Sequence, residues 1–269
     1  MDGARRQATM ADLDYYGLET AVFPPPSSPW IERAEFRPGP EMATRRSYFG
    51  AALSGRRLFV FGGSDDSQRL NTTEILDLET MSFARGPKMG SRRNGCAAIA
   101  IDERRILVVG GEDGARYLNT TEILDVGTRT FTPGPKMRGA RGGHALVVLD
   151  ARRVLVIGGD DEDGYDLATT TVLDLEGMTF TQGPDMRSPR YGCAAVTLDE
   201  RRILVAGGCN GNDGTLKTME LLDIGTMQFT DGPEMGSRRL GCTALRLDAR
   251  RSLVLGGWDE NKTALAMTE

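Results

Sequence analysis

The chain has 269 residues with a formal charge of −5, four Cys and one His. That balance argues against a dedicated nucleic-acid or membrane-surface binder, and no apolar run approaches the length of a membrane helix. The N-terminus has no apolar core of a signal peptide, so the four Cys are expected to be reduced thiols in a cytoplasmic or nuclear setting.

In chain order, the first segment differs from the rest. Residues 11–19, ADLDYYGLE, predict a short helix ending near Gly17. The phrase DYYGLE resembles the closing helix of a BTB domain of the potassium-channel-tetramerisation type. Phe23-Pro24-Pro25-Pro26-Ser27-Ser28-Pro29 then predicts a stiff, extended linker. Residues 1–29 are thus expected to be one unit and residues 30–269 another. Phe36 to Met42 lines up with Phe83 to Met89 and predicts an outer strand without its own inner three.

From Arg46 onward one sentence repeats. It runs Arg46 to Met89, Arg93 to Met137, Arg141 to Met186 and Arg190 to Met235, then Arg239 to the last residue, Glu269. The Gly pairs at 62, 110, 158, 207 and 256 are spaced by 48, 48, 49 and 49 residues. Such a period marks a repeat architecture. In the Arg93 unit, strands are predicted at Cys96 to Ile101, Ile106 to Val109, Thr121 to Val126 and around Phe131. Asp102-Glu103-Arg104-Arg105 forms the first turn, an acidic loop spans Glu112 to Asn119, and Pro133-Gly134-Pro135 closes the unit. Continuous apolar runs imply strands covered on both faces, and alternation implies one wet face. Burial is therefore expected to fall from the first two strands to the fourth, as in a propeller blade.

Arg-x-x-(small or His), an apolar strand into Gly-Gly, Glu-x-x-Asp, an aromatic and Gly-Pro-x-Met together resemble the kelch repeat, from about Phe36 to Glu269. Leu76, Leu124, Leu173 and Leu222 stand where kelch repeats usually carry Tyr, and Phe83, Phe131, Phe180 and Phe229 where they usually carry Trp. The resemblance implies an all-β propeller of four-stranded antiparallel blades, about five in number. The expected arrangement is either a ring in which Phe36 to Met42 and Arg239 to Gly257 share a blade, or an incomplete arc. A closed ring would leave no exposed sheet edge.

Several repeated positions are candidates for function. Arg46, Arg93, Arg141, Arg190 and Arg239 open the units. A ring of guanidinium groups suits carboxylate or phosphate ligands, each fork binding bidentately. The family resemblance implies a protein partner that offers an acidic peptide segment to this ring. The alternative use of each Arg is an ion pair with a neighbouring acidic loop. The turns with paired Arg, such as Asp102 to Arg105 and Asp199 to Arg202, form either a basic face or a set of local ion pairs. Cys96, His144, Cys193 and Cys242 share one register on different blades, too far apart for a zinc site, and are expected to pack between blades. Cys209, in a loop, is the candidate reactive thiol. Asp160 to Asp166 is dense in acids but lacks the 12-residue calcium loop with its terminal Glu. The repeated Met42, Met89, Met137, Met186 and Met235 are expected to seal blade against blade.

No catalytic residues, metal ligands or cofactor fingerprints are assigned. The expected function is a protein-interaction module rather than an enzyme. With the BTB-like tail, it resembles a substrate receptor of a cullin-based ubiquitin ligase. The alternative is a kelch-propeller enzyme, a metal-dependent oxidase or lyase, which the single His disfavours.

Overall fold

The computed structural model describes residues 39–269. The predicted helix at 11–19, the linker and Phe36 lie outside them. The described chain is all β-structure. The first blade is β1 (Gly50–Ser54), β2 (Arg57–Phe61), β3 (Thr73–Asp77) and β4 (Ser82–Arg85). The second is β5 (Ala97–Ala100), β6 (Arg105–Val109), β7 (Thr121–Asp125) and β8 (Thr130–Pro133). The third is β9 (Ala145–Asp150), β10 (Arg153–Ile157), β11 (Thr170–Asp174) and β12 (Thr179–Gln182). The fourth has β13 (Ala194–Thr197) and β14 (Arg202–Ala206), then a small loop hairpin of β15 (Cys209–Asn210) and β16 (Gly214–Thr215), then β17 (Met219–Asp223) and β18 (Gln228–Asp231). A fifth unit holds only β19 (Thr243–Arg246) and β20 (Ser252–Leu255).

The expectation of about five blades is corrected to four complete ones. Among the described residues the fifth unit has only the two strands β19 and β20, with isolated bridges Leu240–Trp258, Trp258–Ala264 and Leu255–Thr268. Gly39 to Met42 forms no strand, and no hydrogen bond joins residues 39–49 to the fifth unit among the described residues. A blade shared between the two chain ends is therefore not formed there.

Each blade is an antiparallel meander, and in the second and fourth blades its second strand is driest. Ile106, Leu107, Val108 and Val109 are fully buried because each side of β6 faces a neighbouring blade. Ile106 and Val108 pack toward the first blade with Phe59 and Phe61, while Leu107 and Val109 pack toward the third with Val154 and Val156. The fourth strands are mostly exposed, as expected. The first strands are wetter than expected; all four residues of β5 are half-buried.

Blades are joined by backbone as well as by side chains. Gly111 N–H donates to the Arg141 carbonyl of the next blade at 2.9 Å, and Gly63, Gly159 and Gly208 repeat the bond to Arg93, Arg190 and Arg239 at 2.8 Å. A Cβ at Gly110 would lie 2.5 Å from the Arg141 carbonyl oxygen, and both Gly of each pair have positive φ. Only glycine meets both demands. A second set of bonds runs from blade to blade: Gly95 N to Tyr48 O, Gly143 N to Gly95 O, Gly192 N to Gly143 O and Gly241 N to Gly192 O, at 2.8–2.9 Å. The chain of bonds does not return from Gly241 to Tyr48 among the described residues. It is an arc.

Met89, Met137, Met186 and Met235 are at most 5% exposed and lie in the clusters between blades, as their register predicts. Cys96, Cys193 and Cys242 are buried there too. The Cys96 thiol donates to the Phe61 carbonyl of the preceding blade.

Candidate functional site

The five opening arginines are inside the blades, and the expectation that they form a partner-facing ring is corrected. Arg93 and Arg239 are 0% exposed, Arg190 1% and Arg141 3%, and the Arg46 side chain is fully covered. Each guanidinium closes its own blade. Arg93 Nη1 donates to the carbonyls of Gly110 and Thr120 at 2.8 and 2.9 Å, and Arg190 does the same to Gly207 and Thr218 at 2.9 Å. These carbonyls sit where the second strand turns at the Gly pair and where the third begins. A buried carbonyl needs a donor, and the fixed fork of Arg supplies two carbonyls at once.

The counter-charge is a glutamate of the third strand, not the acidic loop that the sequence suggested. Arg46 pairs with Glu74 at 2.6 Å, Arg93 with Glu122 at 3.0 Å, Arg190 with Glu220 at 3.1 Å and Arg239 with Glu269 at 2.9 Å. Each carboxylate also accepts two backbone N–H groups. For Glu122 these are Gly90 and Ser91 at 2.6 and 3.1 Å; for Glu220 they are Arg187 and Ser188 at 2.8 and 3.1 Å. Burial pushes the Glu74 carboxyl up, but its bonds to Arg46 and Ala43 outweigh that and hold it below the usual carboxylate range. Hydrogen bonding to the charged form has this effect.

The third blade differs. Thr171 stands in the glutamate register, and Arg141 has no carboxylate within ion-pair distance among the described residues. Burial, uncompensated by a close carboxylate, lowers its pKa to about 10. Beside it lies His144, 6% exposed, with neither ring nitrogen hydrogen-bonded. Burial, then the charges of Arg141 and Arg93, push its pKa down to about 3, so the ring is neutral.

The turns with paired Arg form local ion pairs. Asp102 Oδ1 accepts the N–H groups of Arg104 and Arg105, while Arg105 Nε reaches Asp102 Oδ2 at 2.5 Å and Arg104 reaches Asp125 at 3.5 Å. Asp199 and Asp248 repeat the arrangement. Cys209 is half-buried; burial, then Asp166, raise its pKa, so its reactivity is not enhanced.

The open concavity of about 810 Å³ lies on the loop side of the arc. Its walls include Tyr48, Tyr117 and Tyr191, the carboxylates of Glu112, Asp160, Glu162 and Asp163, and the guanidiniums of Arg69 and Arg116. Arg69 is held by Glu112 at 2.5 Å. The Tyr117 hydroxyl donates to Asp160 Oδ2 at 2.6 Å. Burial raises the Asp160 pKa against the bond from Tyr117, and burial pushes Tyr191 up to about 12. A Cβ at Gly143 would strike the Tyr191 ring at 2.4 Å, so the bare backbone there makes room for the ring. Tyr48 keeps a φ of 54° at the register where the later units carry glycine, and its ring is 63% exposed. Sequence reasoning missed this cavity. Its three tyrosines occupy three different registers, so comparing units position by position does not collect them.

Four-stranded antiparallel blades arrayed about an axis define a β-propeller architecture. The chain belongs to the kelch-motif family: the family model described as Kelch motif matches residues 45–90, 92–138 and 189–236. A search of curated proteins found no match to the sequence. Among solved structures, one described as "Structure of YjhT" superposes with a TM-score of 0.73 at 15% identity, over 83% of this chain and 80% of that one. At that identity the likeness shows the fold alone, and a shared fold does not exclude catalysis, so the expectation that the chain is not an enzyme is withdrawn.

Proposed function

We propose that the chain is a protein-interaction module that takes a basic segment of its partner into the tyrosine-lined concavity. The observation that carries the reading is the composition of that cavity. Three tyrosine rings and four carboxylates face two guanidiniums, one of them already neutralised by Glu112. Aromatic faces attract ammonium and guanidinium groups, by about 0.5–1 kcal/mol each at exposed sites. The rigid blades hold these loops in place, the usual division of labour between scaffold and binding loops. The finer form of the proposal, substrate recognition for a cullin-based ubiquitin ligase, rests on the resemblance at residues 11–19. Co-purification of a cullin with the protein tests that form.

The test of the surface uses two terminally blocked heptapeptides, one rich in Lys and one rich in Glu. Calorimetry should show binding of the Lys peptide, weakened by added salt and by Tyr48→Ala or Glu162→Gln. Preference for the Glu peptide, or Lys binding indifferent to both substitutions, would overturn the reading.

A further inference from the structure

In four units the same cradle surrounds a glutamate carboxylate. Its walls are the opening Arg and two successive backbone N–H groups, three and two residues before that Arg. Ala43 and Thr44 donate to Glu74 at 2.6 and 3.1 Å; Gly90 and Ser91 donate to Glu122; Arg187 and Ser188 donate to Glu220; Gly236 and Ser237 donate to Glu269. Four repetitions establish what this arrangement binds: one carboxylate, held by charge-assisted bonds.

The third blade keeps the cradle and changes the occupant. Arg141 still closes the blade through Gly158 O and Thr169 O at 2.9 and 3.0 Å. Arg138 and Gly139 hold the positions of the two donors, yet no described residue accepts their N–H groups. Thr171, in the glutamate register, is two atoms too short to bring a carboxylate. Its hydroxyl is buried without a hydrogen-bond partner, and so is Arg141 Nε. Arg141 itself is only 3% exposed, and in the second and fourth blades the matching Nε donates to the glutamate carboxylate at 3.1 and 3.2 Å. A Cβ at Gly139 would meet nothing within 4 Å, which leaves the approach from outside open.

We propose that the third blade binds an external carboxylate in the cradle formed by Arg141, the Arg138 and Gly139 N–H groups and the Thr171 hydroxyl. The carboxylate takes the place that Glu122 and Glu220 fill in the neighbouring blades. Its source is a small free carboxylate or an acidic side chain of a bound peptide, since both present the same two oxygens. This site is separate from the tyrosine-lined concavity and does not depend on the function proposed there.

The test follows binding to the folded protein by NMR of the Gly139 amide and by thermal melting, at constant ionic strength. The probes are sodium acetate and a terminally blocked Ala-Glu-Ala peptide, with sodium chloride as control. Acetate should shift the Gly139 amide and raise the melting midpoint, and chloride should do so less. Thr171→Glu and Thr171→Gln both fill the cradle from within and should weaken acetate binding by about tenfold or more. Glu122→Thr should create a second acetate-responsive site, reported by Ser91. A response to acetate alone assigns a free carboxylate; a response to the peptide as well assigns an acidic side chain. Failure of both probes to shift Gly139, or an equal response in Thr171→Gln, would overturn the proposal.

Discussion

The second and fourth blades bury an arginine with its glutamate, while the third buries the same arginine without one. Arg93, Arg141 and Arg190 make the same pair of bonds to backbone carbonyls. The difference lies in the third strand, Thr-Glu-Ile-Leu-Asp at 121–125 against Thr-Thr-Val-Leu-Asp at 170–174. The comparison separates two jobs that the other blades merge. Satisfying carbonyls at the Gly turn is what every blade requires. Neutralising the guanidinium is a second job, which the third blade assigns elsewhere.

The contrast between blades breaks most sharply at the arginines themselves. Arg190→Ala leaves Glu220 buried without its cation, and removing one member of a buried pair costs about 3–5 kcal/mol. Arg141→Ala strands carbonyls but no carboxylate, so it should cost about 1.5–3 kcal/mol, the worth of bonds to a charged group. Urea unfolding of the two variants gives the order directly, and an equal loss would show that the glutamate contributes nothing distinctive. The reverse change sharpens the point. Thr171→Glu should stabilise the protein by about 1–2 kcal/mol, through hydrogen bonds to a charged group less the cost of desolvating the carboxylate.

His144 gives a pH readout specific to the third blade. Its folded pKa, about 3, lies below the ordinary histidine value of 6.5. Above pH 6.5 the ring is neutral in both states and contributes no pH dependence. As pH falls below that value, the unfolded chain takes a proton that the folded chain refuses. Stability should fall by roughly 1.4 kcal/mol per pH unit from this group. Burial sets most of the shift, and the charges of Arg141 and Arg93 beside the ring add to it. Asp160 and Asp166 work in the opposite sense, because their folded pKa values are raised. His144→Cys, the residue its sister blades carry, isolates the histidine. The variant should lose stability more slowly than the parent between pH 6.5 and 4. Identical profiles would mean that the buried ring takes a proton without penalty. The smallest change belongs to the surface turns. Arg104→Ala removes an exposed pair with Asp125 and should change stability by less than about 1 kcal/mol.

Much of the fold is legible in the sequence because it is repeated. The Gly pairs mark the close approach of backbone between blades, and the Met and Cys registers mark the apolar seams. The Asp that opens each turn is readable from its bonding habit alone. The inward direction of the arginines is not. A run such as Arg92-Arg93 looks solvated, and only the geometry shows Arg93 folding back over Gly110. The glutamate partner is hidden for a similar reason. An acid beside Ile in a strand reads as the wet face, whereas Glu122 shares the buried face of Leu124, on a side that the Arg93 guanidinium and two backbone N–H groups make polar. Blade number is misread because the fifth unit repeats the Arg and Gly-pair signals of the others, while only two of its strands form among the described residues.

The opening arginines are internal staples whose glutamate partners are separable from the carbonyl clamp. A double-mutant cycle measures this most directly, with urea unfolding of Arg190→Ala, Glu220→Ala and the double variant, beside Arg141→Ala, Thr171→Ala and theirs. The coupling should be about 1.5–3 kcal/mol for Arg190 with Glu220 and less than about 0.5 kcal/mol for Arg141 with Thr171. Near-zero coupling in the first cycle, with Arg190→Ala as stable as the parent, would contradict this.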